Sequence, residues 1–206
     1  MLRTVMWAAP ASLVVELVLW PVLGASFTAA SLGWGAASGV ASAGAFLLLY
    51  RTLAIGPMNV LSPVTALVSA LLPVAVGLAQ GERLGAAGLV GLPLALGAVV
   101  LVSAGPGVRS SRPSRKALVL AFGAGAAIAL QLVCLHQAPG DSGVAPLIAG
   151  RAVASALTLA AAGLLRRRLG DERPAYALSV AAGALDSIAN LLFLLASRSG
   201  TSRWSR

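Results

Sequence analysis

The chain has 206 residues, 58% of them hydrophobic and 10% charged, with mean hydropathy +0.90 and a formal net charge of +9. A soluble domain is about 45–50% apolar and about 25% charged, and one domain of this length could not hide so much apolar surface from water, so the class is integral membrane protein. The charge does not imply nucleic acid, because most of the fifteen Lys and Arg stand between apolar runs, as in Arg109–Lys116 and Arg166–Arg173, where interfacial charges belong, and no aromatic residues interleave with them for base stacking.

Spanning a hydrocarbon core takes about 20 helical residues. Seven stretches qualify: Val5–Leu23, Leu32–Leu53, Met58–Ala79, Gly85–Ser103, Ala117–Leu135, Val144–Leu165 and Tyr176–Ser197. None alternates with period two, so helices and not barrel strands are expected. The first stretch resembles a signal peptide in its "MLR" start and "LGAS", but its length and Glu16 argue for a retained helix. Pro57 suits the first turn of the third helix, where its missing N–H is no loss. Gly81 can end that helix in the left-handed conformation, leaving Glu82 at the positive end of the fourth. Pro63 and Pro73 inside the third helix should kink it or free carbonyls toward a cavity. One cysteine, Cys134, excludes an intrachain disulfide and any Cys-based zinc site. A lone Lys116 among many Arg, Ala, Gly and Val fits a GC-rich bacterial genome.

A shift of 144 residues lays the second helix over the seventh and the first over the sixth. Ala37, Gly39, Ala45, Leu47, Leu48 and Gly56 are identical to their counterparts. Gly35, Gly39 and Ala43 form a stripe of small residues, and Ser179, Gly183 and Ser187 repeat it at the same offset. Such stripes let helix backbones approach closely in a bilayer. In this frame the third and fourth helices have no second copy and the fifth has no first. The expected unit is therefore five helices. An odd unit leaves the second copy upside down, the inverted-repeat architecture of many secondary transporters. The expected fold is an all-α polytopic membrane protein of seven transmembrane helices, an incomplete inverted repeat of five-helix units, ten being expected in an intact relative. The halves are expected at 1–105 and 117–200, with a basic linker at 106–116 and an unrelated basic tail at 201–206. The frame also predicts truncation at both ends, with a genuine seven-helix protein as the rival.

The turn "YRTLAIGP", the helix "SPVTAL" with its later Pro73, and "GERL" opening the next helix resemble the end of an EamA-type domain of the drug/metabolite transporter superfamily. "GDSGVAPLIAGRAVASALTL" and "AGALDSIANLLFLLASRSG" are similar to the second domain of that family. The resemblance implies two five-helix halves that carry small metabolites or drugs across a bacterial cytoplasmic membrane. It implies no substrate, and no cofactor or metal.

Glu16 is costly within a spanning helix, by at least ~2.5 kcal/mol on insertion scales, so it should face the bundle interior or water. It either accepts a proton or a cationic group, or serves as a paired structural acid. Asp186 and Asn190, at i and i+4, share a helix face. Either they bind an ammonium or a proton, or they fix packing through a hydrogen bond. Arg151 either pairs with Asp186 or Glu16 or, as its default, snorkels to the interface. Asn59, Ser62, Thr65 and Ser69 make a polar strip on the third helix, as a pathway lining or as hydroxyls returned to the backbone. Gln131, Cys134 and His136 crowd the end of the fifth helix. Trp7, Trp20, Trp34 and Tyr50 lie near segment ends, as in an aromatic belt.

Ten Lys and Arg fall on the Met1 side and five on the other. The charge bias places Met1 in the cytoplasm, whereas the resemblance places it outside; both stay open. The function expected is a secondary carrier with alternating access, its coupling, if any, to protons through Glu16 or Asp186. The alternatives are an inactive remnant, or a half that needs a partner. A membrane-embedded enzyme is disfavoured, since no G-x-S-x-G or H-E-x-x-H occurs and His136 stands alone. The expected partners are the bilayer, a small solute and, through small-residue faces left uncovered, another copy of the chain.

Overall fold

The computed structural model describes residues 2–56, 58–81, 85–103, 114–164 and 176–201. These residues form seven α-helices: α1 Leu2–Leu23, α2 Ala29–Ile55, α3 Met58–Ala79, α4 Ala86–Ser103, α5 Arg115–His136, α6 Ala145–Leu164 and α7 Tyr176–Thr201. A single 3₁₀ turn, Gly140–Ser142, precedes α6. Four segments are long and apolar enough to cross a membrane: Ala29–Leu49, Val60–Ala79, Arg115–His136 and Tyr176–Arg198. The molecule is a helical membrane protein. The expectations for Pro57, Glu82, Leu165, positions 106 to 113 of the linker and positions 202 to 206 of the tail lie outside the described residues, as do those for the side chains of Trp7 and Tyr50.

Local chemistry accounts for the helix limits. Three helices, α1, α2 and α5, begin earlier than hydropathy alone predicts, and the last two are capped. Thr28 and Ser31 cap α2 reciprocally: the Thr28 amide donates to Ser31 Oγ at 2.9 Å and the Ser31 amide to Thr28 Oγ1 at 3.1 Å. Ser114 accepts the Ala117 amide at 3.2 Å and so starts α5 on its charged residues Arg115 and Lys116. Gly81 has φ +90°, as expected of a glycine ending α3. The third helix continues through both Pro63 and Pro73.

The helices are polar within and apolar without. On α1, Ser12 and Glu16 are buried while Val14, Val18 and Val22 are exposed. On α7, Ser179, Ser187 and Asn190 are buried while Leu178, Leu185 and Leu192 are exposed. Water would select the reverse, whereas hydrocarbon is an indifferent solvent for Val and Leu and a poor one for Ser, Asn and Glu.

The chain divides into two compact units. One comprises Met1–Ala43 with Cys134–Arg206, the other Gly44–Val133. In the second unit, Leu61, Ala117 and Ala121 make the buried centre, with Val64 and Leu118 against it. Thr65 Oγ1 reaches both its own helix at Leu61 O, 3.0 Å, and α5 at Ala121 O, 3.2 Å.

In the first unit, α1 packs on both α6 and α7, and Leu135, Leu147 and Leu194 form an apolar centre. Here the first small-residue stripe meets α6. A Cβ added to Gly35 would lie 2.5 Å from the Pro146 carbonyl oxygen, and one on Gly39 would overlap the Gly150 carbonyl. The contact is backbone against backbone, which only glycine permits. The second stripe includes the fully buried Ser179 and Ser187, and Ser187 Oγ lies 2.9 Å from the Ser12 carbonyl of α1.

At one end of this unit two inter-helix loops are joined through their backbones. Ala25 and Gly143 form an isolated antiparallel bridge, the Val144 amide donates to Gly24 O at 3.0 Å, and the Ser26 amide donates to Ser142 O at 3.1 Å. Gly24 (φ +69°) and Gly143 (φ +57°) supply the left-handed backbone at this seam. From α7, Arg198 donates to the carbonyls of Gly143 at 2.9 Å and Pro139 at 3.2 Å.

Candidate functional site

Three helices of the first unit deliver charged side chains to one place. Glu16 comes from α1, Arg151 from α6 and Asp186 from α7. Arg151 Nε donates to Glu16 Oε1 at 3.2 Å, and its Nη2 lies 2.6 Å from Asp186 Oδ2. The second approach is a charge contact without an aligned N–H, for Nη2 makes no hydrogen bond of good geometry. Arg151 thus straddles two carboxylates. Its default as an interfacial, snorkelling arginine is corrected: only 7% of its side chain is exposed, because it turns inward to the buried Glu16 and to Asp186.

Each acid is held by further groups. The Ser187 hydroxyl sits 3.3 Å from Glu16 Oε1 as well as beside the Ser12 carbonyl, so its one proton is shared between the two acceptors. Asn190 Nδ2 donates to the Asp186 carbonyl at 2.8 Å and to its Oδ1 at 3.3 Å. The i, i+4 pair therefore fixes its own carboxylate, with Arg151 on the other oxygen.

Exposure separates the two acids. Glu16 is 2% exposed, and its Oε2 is buried with no hydrogen-bond partner. Asp186 keeps 40% of its side chain exposed. Ser155, one turn beyond Arg151 on α6, also carries a buried hydroxyl without a hydrogen-bond partner. Unsatisfied oxygens in an apolar interior cost of order 1–3 kcal/mol each, more when charged, so polar atoms left this way call for an explanation.

The other candidate residues stand elsewhere. Thr65 and Gln131 belong to the second unit, with Ser62 and Asn59. Ser62 is exposed, and the Asn59 side chain lies outside the described residues. Thr65 and Ser69 return their hydroxyls to backbone carbonyls, Ser69 to Ala66 at 3.0 Å. Gln131 is half-buried on α5, Cys134 is buried, and His136 sits in the last turn of that helix. In the sequence Ser187 stands out only as a packing residue, and Ser12 and Ser155 do not stand out. Ser12 and Glu16, at i and i+4, were the available signal.

The chain matches no family model, no curated protein and no solved structure.

Proposed function

We propose that this protein is a secondary carrier of the drug/metabolite type, moving a small solute across a bacterial cytoplasmic membrane by alternating access, with its solute path beside Glu16, Arg151 and Asp186. The observation that carries this reading is the triad itself. Three charges from three helices, enclosed in a chain whose lipid-facing surface is apolar, are expensive in a bilayer and mark pathways for ions and solutes.

The helix pairings support the inverted repeat behind the mechanism. Under the 144-residue shift, α2 corresponds to α7 and α1 to α6. A pseudo-twofold axis in the membrane plane would then exchange the α2–α6 contact with the α7–α1 contact and pair α1 with α6 across itself. Gly35 and Gly39 sit on α6, Ser187 sits on α1, and α1 packs on α6, as such an axis requires. Seven crossings in all, including α1, α4 and α6, belong to the same proposal.

A cysteine at Ser155 tests it without knowing the solute. In a Cys134→Ser background, Ser155→Cys in oriented vesicles is treated with a membrane-impermeant methanethiosulfonate from one face at a time. Alternating access predicts labelling from each face. A buried structural cluster predicts labelling from neither, and that outcome would overturn the carrier reading.

A further inference from the structure

Resting on the carrier reading, we propose that the triad holds one monovalent cation at a time, either a proton on Glu16 or an ammonium-type cation at Asp186. Arg151 is the positioning residue that makes the two occupancies exclusive. The argument begins with charge. Two carboxylates share one guanidinium, so the cluster with both acids ionised carries one uncompensated negative charge. A single added cation brings it to neutrality; a second would leave a net positive charge in the same enclosed space. Like charges about 6 Å apart at an effective dielectric of about 20 weaken each other's binding about a hundredfold.

The two acids differ in what can reach them. Glu16 is enclosed, with Oε2 buried and lacking a hydrogen-bond partner, which is room for a proton and little else. The charged groups acting on it are Arg151 from α6 and Asp186 from α7, with Ser187 adding a hydrogen bond from α7. Asp186 is the open one, at 40% exposure. Its Oδ1 is occupied by Asn190, and its Oδ2 faces a nitrogen cation already, the Nη2 of Arg151. A solute N–H donor can take that place. One carboxylate oxygen suits a hydrogen-bonding ammonium better than a bare metal ion, which would need several oxygens.

The exchange balances as follows. A solute cation arrives at Asp186 Oδ2 and displaces Nη2; the guanidinium then pairs wholly with Glu16, whose Oε2–H bond breaks as the proton passes to water. In reverse, water delivers a proton to Oε2, Arg151 leaves Glu16 for Asp186, and the solute cation is expelled. Arg151 can make this move because it already reaches both acids through different nitrogens.

The full chain in lipid nanodiscs, in weakly buffered solution with a pH indicator, is titrated with radiolabelled methylammonium. Each probe bound should release about one proton. Glu16→Gln, which mimics the protonated acid, should bind the probe about a hundredfold more weakly and release no proton. Asp186→Asn should lose probe binding, and the infrared band of a protonated carboxyl, present in the wild-type chain without probe and lost when the probe binds, should be absent from Glu16→Gln. Arg151→Gln should bind the probe without proton release, whereas a merely structural arginine would leave the stoichiometry unchanged in whatever protein folds. Failure of methylammonium to bind, sodium binding in its place, or wild-type binding without proton release would each overturn the proposal. The wild-type measurement alone decides it where a variant does not fold, and none of these outcomes alters the labelling of Ser155→Cys.

Discussion

Replacing Arg151 by methionine tests the electrostatic reading of the cluster most directly. Methionine keeps much of the side-chain volume and removes the charge that two acids share. With Nε 3.2 Å from Glu16 and Nη2 2.6 Å from Asp186, charge centres about 4 Å apart contribute about 4 kcal/mol per pair at an effective dielectric of about 20. The Asp186 share is smaller because that acid is 40% exposed. Desolvation offsets much of the gain in the intact cluster, but not in the variant, which leaves two carboxylates of like sign facing each other. Breaking a buried ion pair from one side costs about 3–5 kcal/mol, and that is the expected loss. Neutralising all three, as Arg151→Met with Glu16→Gln and Asp186→Asn, should recover most of it, because no charge then remains buried. Reversible unfolding of the purified chain in mixed micelles, with increasing anionic detergent, measures both. An Arg151→Met chain within about 1 kcal/mol of wild type, or a triple variant no more stable than the single one, would refute the reasoning.

Gly39→Ala should cost about 1–3 kcal/mol by the same unfolding measurement, since its new methyl overlaps the Gly150 carbonyl. Gly33→Ala on the same helix meets open space and should be near neutral. Arg198→Ala should cost about 1–3 kcal/mol by stripping donors from the Gly143 and Pro139 carbonyls, and amide hydrogen exchange should quicken across 140–144.

What could be read in advance was local, and what could not was distant in the chain. Among the described residues, six of the seven helices lie within three residues of the expected bounds at each end, because apolar runs and glycine punctuation report directly on the bilayer. The exception, at the end of α7, shows why boundaries slip: Ser197 and Arg198 look like interface, yet the helix runs on to Thr201 and Arg198 turns to the 139–143 turn. Asp186 and Asn190 were legible as one face from their spacing alone. Arg151 was not, for its partners lie 135 residues before it and on another helix after it. Snorkelling is the right expectation for an arginine near a helix start until the neighbours are known. The backbone seam was invisible for a different reason: main-chain hydrogen bonds leave no residue signature beyond two glycines that would suit any turn.

That seam also sets a level. Glu16 stands eight residues before Gly24, and Arg151 seven residues after Val144. At ~1.5 Å per residue these are depths of ~12 Å and ~10.5 Å beneath a common hydrogen bond. The two antiparallel rods are hung from one peg, and their opposite charges come to rest at nearly the same height. Sliding either rod by a single helical turn would break the peg and part the charges together, so the vertical setting of α1 against α6 is fixed twice over, by main chain at the rim and by side chain below.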